Sequence, residues 1–158
     1  MYGLIIYIPA MPGMLIRFIF LKLFTKSCRG FVWLQPRVEL VNIRKIIFGK
    51  NVGINSGTYI NAVGGLDIGD YVLIGPNVTI SSGMHPIDKG TNSIYEKQTV
   101  FKKIIIEDDV WLGANVVIMP GVVLKTGSVV GANSVVTKST LAYSVNVGVP
   151  SRFIRYRS

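Results

Sequence analysis

The chain has 158 residues, of which 49% are hydrophobic and 16% are charged. This length and apolar content predict one folded domain with a sizeable core and exclude a disordered chain. Seventeen Lys and Arg against eight Asp and Glu give a net charge of +9, which favours an anionic partner. Nucleic acid is not favoured as that partner, because the basic residues collect near the two ends and form no basic stripe with aromatic platforms.

Residues 1–35 form an apolar N-terminal segment, in which residues 14–26 are predicted to be helical. Two prolines, a glycine, Arg17 and Lys22 leave the unbroken apolar run shorter than the roughly 20 residues of a bilayer span. The segment has no basic start followed by a small-residue cleavage site, so a signal peptide is not expected. The helix can pack on the protein, lie in an oligomer, or touch a membrane through residues 1–26. The expected location is cytoplasmic, including the inner membrane face.

The chain contains one cysteine, Cys28, and one histidine, His85. A single cysteine excludes an intrachain disulfide framework, and Cys28 is expected to be a small buried residue. One cysteine and one histidine also cannot supply the ligand sets that are typical of protein zinc sites, so no metal is expected.

Apolar residues recur every six positions along most of the chain. They are Phe48, Ile54 and Ile60; Ile68, Ile74 and Ile80; and Ile106, Leu112, Ile118, Leu124, Val130 and Val136. Six is not a helical period, and an ordinary sheet predicts longer alternating runs joined by hairpins. The pattern therefore predicts an all-β parallel β-helix over residues 36–150, with the repeated apolar residues pointing inward.

Residues 81–103 break this period and are predicted to form a projecting loop, because they are polar and contain glycines and a proline. His85 lies at the root of this loop. Loops on a rigid scaffold often carry the chemistry of a protein, although a lone histidine is more often structural. The residues by themselves leave both roles open.

Three stretches resemble the hexapeptide-repeat acyltransferases, especially the galactoside, maltose and capsular-polysaccharide O-acetyltransferases: "GMHPID", "VWLGANVVIMPGVVLKTGSVVGANSVVTKS" and "VGVPSRFIR". The resemblance covers roughly residues 36–155. It implies a left-handed parallel β-helix with three hexapeptides per coil, usually a homotrimer with sites between subunits. It also implies an O-acetyltransferase that moves an acetyl group from acetyl-CoA to a saccharide hydroxyl, as in a capsular, exopolysaccharide or lipid-linked glycan.

The resemblance implies that His85 is the general base, since a neutral imidazole can take the proton of an attacking hydroxyl. It implies an acceptor site with Asn55, Trp111 and Met84. Asn55 can also be a turn residue, and Trp111 can also be an interface residue; Trp111 should face outward if Leu112 points inward. Asp88 is a weak candidate for orienting the imidazole and is better explained as a loop-capping residue.

The same resemblance implies that coenzyme A is bound by small residues, which admit the pantetheine arm, and by cations, which bind the phosphates. These positions are Gly113, Ala114, Ala132, Thr137, Lys138, Arg152 and Arg155. Arg152 and Arg155 belong to a basic tail, residues 151–158, which can also be merely solvated. The stretch "STLAYSVN" departs from the acidic, proline-rich run of the family, so the adenine contact is not implied.

Two alternatives remain beside a glycan acetyltransferase: an acetyltransferase that modifies antibiotics, and a non-catalytic β-helix scaffold. The apolar N-terminal segment favours a polysaccharide or lipid-linked acceptor, because a freely diffusing drug does not require it. A carbonic anhydrase of this fold is not favoured, since its metal site needs three histidines and the chain has one.

Overall fold

The computed structural model describes residues 5–88 and 93–158, which wind into a left-handed parallel β-helix with three faces. Sheet A stacks β1 (Ser27–Cys28), β4 (Ile46–Phe48), β7 (Leu66–Ile68), β12 (Ile104–Ile106) and β15 (Val123–Leu124). Sheet B stacks β2 (Val32–Leu34), β5 (Val52–Ile54), β8 (Leu73–Ile74), β13 (Trp111–Leu112), β16 (Val129–Val130), β18 (Ser144–Val147) and β19 (Arg152–Tyr156). Sheet C stacks β3 (Glu39–Val41), β6 (Tyr59–Asn61), β9 (Thr79–Ser81), β14 (Val117–Ile118) and β17 (Val135–Val136).

The predicted period of six is confirmed: in every strand that carries it, the repeated apolar residue faces inward. Each of the twelve repeated apolar residues is at most 1% exposed, and together they form the core of the prism. Residues of successive coils lie in register, so that Ile54 pairs with Ile74, Ile74 with Leu112, and Leu112 with Val130. Burial of such a side chain contributes about 1.5–3 kcal/mol, which makes the apolar ladder the main stabilising feature of the fold.

The corner between sheets B and C is built from residues with left-handed backbone conformation. On successive coils these residues are Arg37, Gly57, Asn77, Asn115 and Asn133, with φ between 56° and 77°. Glycine and asparagine adopt this conformation more readily than other residues. The corner therefore explains why asparagine and glycine recur between the apolar positions.

The coils differ in length before and after the loop. Ser27, Ile47 and Asp67 are partners in sheet A, so the early coils contain 20 residues, whereas Ile105 and Val123 are 18 residues apart. The two additional residues lie at the corner between sheets C and A, where the 3-10 turn η1 (Ile43–Lys45) is found. The projecting loop leaves the prism at this same corner, between β9 and β12.

The N-terminal helix, α1 (Ala10–Phe24), begins four residues earlier than predicted. Pro12 fits inside its first turn, because the N–H groups there have no partner within the helix. Gly13 allows a close approach of the chain, since a Cβ atom there would lie 2.0 Å from the Ile8 carbonyl oxygen. Leu21 joins the core, and Arg17 is buried with Nε donating to the carbonyl oxygen of Leu34 over 2.8 Å. The helix therefore packs on the first coil, one of its three expected environments.

The stacked strands extend beyond residues 36–150 at both ends. The first coil begins with β1 at Ser27, because its backbone pairs with β4. The tail, residues 151–158, contains β19, which pairs antiparallel with β18 and places Arg155 opposite Val145. Among the described residues no helix is both long and apolar enough to cross a membrane.

Candidate functional site

His85 lies at the root of the loop, directly after the first strand of a short antiparallel hairpin. In this hairpin β10 (Gly83–Met84) pairs with β11 (Val100–Phe101), so that Met84 lies opposite Val100. The buried Ser82 anchors the hairpin, since its Oγ accepts a hydrogen bond from the Gly64 N–H over 2.8 Å. The fixed root leaves the His85 side chain exposed at the surface.

Asp88 interacts with Lys97 across the loop. The Nζ atom of Lys97 lies 3.4 Å from Oδ2 of Asp88 and also donates to the Asp88 carbonyl oxygen. These contacts join two parts of the loop, which fits the loop-capping role of Asp88 better than an orienting role.

Trp111 lies on the outer side of sheet B, as predicted, because successive residues of a strand point to opposite faces. Its side chain is 55% exposed, and its neighbours in register are Leu73 and Val129. Tyr71, Trp111 and Arg155 line an open groove of about 520 Å³, called the Trp111 groove below. An exposed indole beside a guanidinium offers both an apolar and a cationic contact to a ligand.

The C-terminal residues form one wall of the Trp111 groove. Arg155 is placed by its pairing with Val145, and Arg157 Nη1 donates to the Asp109 carboxylate over 2.8 Å and to the Gly127 carbonyl oxygen over 2.9 Å. The sequence did not single out Tyr71, Leu73 or Arg157 as lining residues. Leu73 is separated from Trp111 by the loop, so the hexapeptide period alone does not give their register.

Small residues allow close packing at the next corner of sheet B. Gly113 donates its N–H to the Val130 carbonyl oxygen over 2.8 Å, and a Cβ atom at Gly113 would lie 2.6 Å from the backbone nitrogen of Ala132. Ala132 is exposed and Ala114 is half-buried. Gly113 is itself buried, so the surface of this corner is formed by Ala114 and Ala132, whose side chains are only methyl groups.

A second groove of about 250 Å³, called the Lys138 groove below, contains Lys138, Ser151 and Arg152. Thr137 is exposed beside it at the end of β17. The Ser151 Oγ atom is buried and has no hydrogen-bond partner among the described residues. A buried hydroxyl of this kind in a groove that is also lined by two cations is suited to a ligand oxygen, since unsatisfied buried polar groups are costly.

Asn55 lies at the corner that follows β5. Its Nδ2 donates to the Ile74 carbonyl oxygen of the next coil over 3.0 Å, which is a structural role in the corner. It also lines a groove of about 250 Å³ with Trp33 and Leu73.

The predicted site residues therefore occupy different parts of one chain. Trp111 and Arg155 share one groove, Lys138 and Arg152 share a second, and Asn55 lies in a third. The loop that carries Met84 and His85 leaves from the corner between sheets C and A, whereas Trp111 belongs to sheet B.

Comparisons with known proteins match the repeat and the whole fold. The family model described as bacterial transferase hexapeptide (six repeats) matches residues 103–138. A galactoside O-acetyltransferase of Lactococcus lactis is 41% identical over 108 residues, which are 65% of this chain and 51% of the relative.

Two solved structures are similar over most of the chain. A hexapeptide-repeat acetyltransferase of Vibrio cholerae, complexed with acetyl coenzyme A, has 30% identity and a TM-score of 0.85, covering 97% of this chain and 81% of that one. A galactoside acetyltransferase in complex with coenzyme A has 34% identity and a TM-score of 0.85, covering 93% of this chain and 73% of that one. The chain spans between 51% and 60% of the length of the curated galactoside O-acetyltransferases that it matches.

Proposed function

The chain belongs to the hexapeptide-repeat acetyltransferase family, and on that premise we propose that it transfers an acetyl group from acetyl-CoA to a saccharide hydroxyl. The observation that carries the proposal is an exposed His85 on an anchored loop of a chain similar to structures with bound acetyl-CoA or coenzyme A.

We assign the proton transfer to His85. The acceptor oxygen attacks the thioester carbonyl carbon while the imidazole takes the hydroxyl proton. The carbon–sulfur bond then breaks, and the imidazolium returns the proton to the leaving thiolate of coenzyme A. No covalent acyl-enzyme is required, and burial raises the pKa of the Cys28 thiol, which opposes the use of Cys28 as a nucleophile.

We assign the acetyl-CoA site to the Trp111 groove, the Lys138 groove and the corner that contains Ala114 and Ala132. Lys138 and Arg152 would bind phosphates in the Lys138 groove, where Ser151 Oγ can donate a hydrogen bond. The pantetheine arm would pass along Ala114 and Ala132, next to the buried Gly113. Thr137 and Arg155 complete the proposed donor site.

The acceptor site is assigned to Asn55, Met84 and Trp111 beside His85. Because the loop and the outer side of sheet B belong to different parts of one chain, we propose that a homotrimer joins the loop of one subunit to sheet B of its neighbour. The outer face of α1 exposes Met11, Leu15, Ile19 and Leu23, which suits peripheral contact with the inner membrane face where lipid-linked glycans are handled.

The experiment that tests this function is thiol release from acetyl-CoA across a panel of oligosaccharides, lipid-linked glycans and antibiotics. We expect release with saccharides and a mass gain of one acetyl group on the acceptor. Release with antibiotics alone would replace the glycan by a xenobiotic acceptor. Binding of acetyl-CoA without thiol release from any acceptor would indicate a non-catalytic scaffold.

A further inference from the structure

A groove of about 610 Å³ lies at the corner between sheets C and A and is lined by Lys26, Arg44, Lys45, Lys103 and Phe101, together with Gly65. It is called the basic groove below. None of its residues belongs to the site assigned above, although it borders the root of the loop that carries His85. Its four cations and one aromatic ring suggest a binding site for a charged ligand.

The stacking of the coils explains why the cations converge. Ile46, Leu66 and Ile104 pair in register in sheet A, so the residues that precede them, Lys45, Gly65 and Lys103, occupy equivalent positions on successive coils. Successive coils are about 4.8 Å apart, which puts the two lysine positions roughly 10 Å apart with a glycine between them. The basic groove therefore has lysine walls and a floor of bare backbone.

The floor cannot be filled by a side chain without strain. Gly65 has φ of 99°, a left-handed conformation that favours glycine, and a Cβ atom there would lie 3.4 Å from Cγ of Lys103. The neighbouring Gly64 packs even closer, since a Cβ atom there would lie 2.7 Å from the Ser82 carbonyl oxygen. Gly65 keeps the space beside Lys103 open, and Gly64 lets the root of the loop pack closely.

The positive charge of the basic groove is largely uncompensated. Asp67 forms an ion pair with Lys103, with 2.5 Å between Oδ2 and Nζ. Lys45 donates to the Val63 carbonyl oxygen over 2.7 Å, and in the described part of the chain neither Lys26, Arg44 nor Lys45 has an acidic partner. Three cations that line one groove attract an anion, and a hydrogen bond between a cation and an anion is stronger than one between neutral groups.

Phe101 connects the basic groove to the loop. Its ring is 55% exposed, and its backbone pairs with Gly83, two residues before His85. An exposed ring beside cations suits the apolar face of a sugar whose substituent is negatively charged, since pockets combine apolar surface with a few placed polar groups. The position next to the loop root favours the acceptor over the donor as the occupant.

We propose that the basic groove binds the anionic group of a charged saccharide acceptor, either a uronate carboxylate or a sugar phosphate. The inference rests on the proposed acetyltransferase function and narrows its acceptor class. Arg44 and Lys45 hold the anion, and Phe101 contacts the sugar ring. A neutral saccharide loses the charge-assisted contacts and binds more weakly.

The test measures binding apart from turnover, by titration calorimetry on the His85→Ala protein. The probes are trigalacturonate and its neutral methyl ester, and N-acetylglucosamine 1-phosphate and N-acetylglucosamine. We expect Arg44→Ala or Lys45→Ala to weaken binding of the charged probes about tenfold. The matched control is Lys125→Ala, which removes an exposed lysine at the opposite edge of sheet A and should change the Kd less than twofold. Phe101→Ala is expected to weaken binding of both the charged and the neutral probe of each pair.

The outcomes separate the basic groove from the proposed function. Equal affinity for charged and neutral probes, or no effect of Arg44→Ala, overturns the proposal that the basic groove binds an anionic group, even if thiol release continues. Charge-dependent binding without thiol release from acetyl-CoA in the presence of any acceptor supports anion binding in the basic groove and contradicts the proposed function. If Arg44→Ala instead weakens acetyl-CoA binding to the same degree, the basic groove binds donor phosphates and the proposal is wrong. If the trigalacturonate binds, the recognised group is a carboxylate; if the N-acetylglucosamine 1-phosphate binds, it is a phosphate.

Discussion

The guanidinium of Arg157 donates a hydrogen bond to the carboxylate of Asp109 over 2.8 Å, which joins the end of the chain to the corner before Trp111. Asp109 has φ of 56°, a conformation that asparagine tolerates, so Asp109→Asn removes the charge without straining the corner. The pair couples β19 to the wall of the Trp111 groove.

The first prediction concerns this pair. Arg157→Ala and Asp109→Asn should each lower the free energy of unfolding by less than about 1 kcal/mol, because both side chains are partly exposed. Each should accelerate amide hydrogen exchange in Arg152–Tyr156. The double variant should exchange no faster than the single ones; additive acceleration would show that the residues act independently.

The second prediction concerns the inward and outward positions of one strand. Ile74 is fully buried, whereas its neighbour Leu73 is 57% exposed. Ile74→Ala should lower the free energy of unfolding by about 2–5 kcal/mol, and Leu73→Ala by less than about 1 kcal/mol. Chemical denaturation measures both. Similar losses for the two variants would contradict the assigned facing of β8.

The third prediction concerns the closely packed corner at Gly113. Gly113→Ala should cost about 1–3 kcal/mol, because its Cβ would lie 2.6 Å from the Ala132 backbone nitrogen. The matched control is Gly53→Ala, whose Cβ would lie 3.1 Å from Cδ2 of the exposed Leu73, a side chain that can move. Thermal unfolding should rank Gly113→Ala well below Gly53→Ala, and the reverse order would refute the close packing.

The fourth prediction concerns pH and Glu107. Hydrogen bonds from the Lys125 side chain and from Thr126 lower the pKa of this carboxyl. A lowered pKa in the folded state stabilises the fold above the unfolded pKa of about 4.3, and the gain is lost as the pH falls through the folded pKa.

Glu107→Gln should therefore be less stable than the parent protein at pH 7, by less than about 1 kcal/mol because the pair is exposed. The difference should begin to shrink as the pH falls below the unfolded pKa of about 4.3, and it should disappear once the pH is below the folded pKa. Glu39→Gln is the control, since Glu39 has no ion pair among residues 5–88 and 93–158. A difference that persists at low pH would show that the effect of Glu107→Gln is not electrostatic.

The prism was predictable from the sequence because an inward position must be apolar on every coil. Leu112, Ile118, Leu124 and Val130 follow one another every six residues and are buried as expected. The start of the first coil at Ser27 was not predictable, since β1 is short and carries no hexapeptide signal. Arg17 interrupts the apolar pattern of α1 in the sequence, yet it is buried, because its guanidinium donates to backbone carbonyl oxygens.

The contacts around the candidate site depend on register across the loop. Trp111 lies beside Leu73 only because the loop is inserted at a corner and leaves the stacking undisturbed. The ion pair of Arg157 requires the antiparallel return of β19, which the period of six does not contain. The convergence of Lys45 and Lys103 likewise appears only when the early coils are known to hold two additional residues.

The measurement that tests the central claim most directly is thiol release from acetyl-CoA by the parent protein and by His85→Ala, with an accepted saccharide present. We predict that His85→Ala lowers kcat by at least about a hundredfold, in line with the loss of a general base, while the Kd for coenzyme A stays within twofold. Thiol release by His85→Ala within tenfold of the parent rate would contradict His85 as the base.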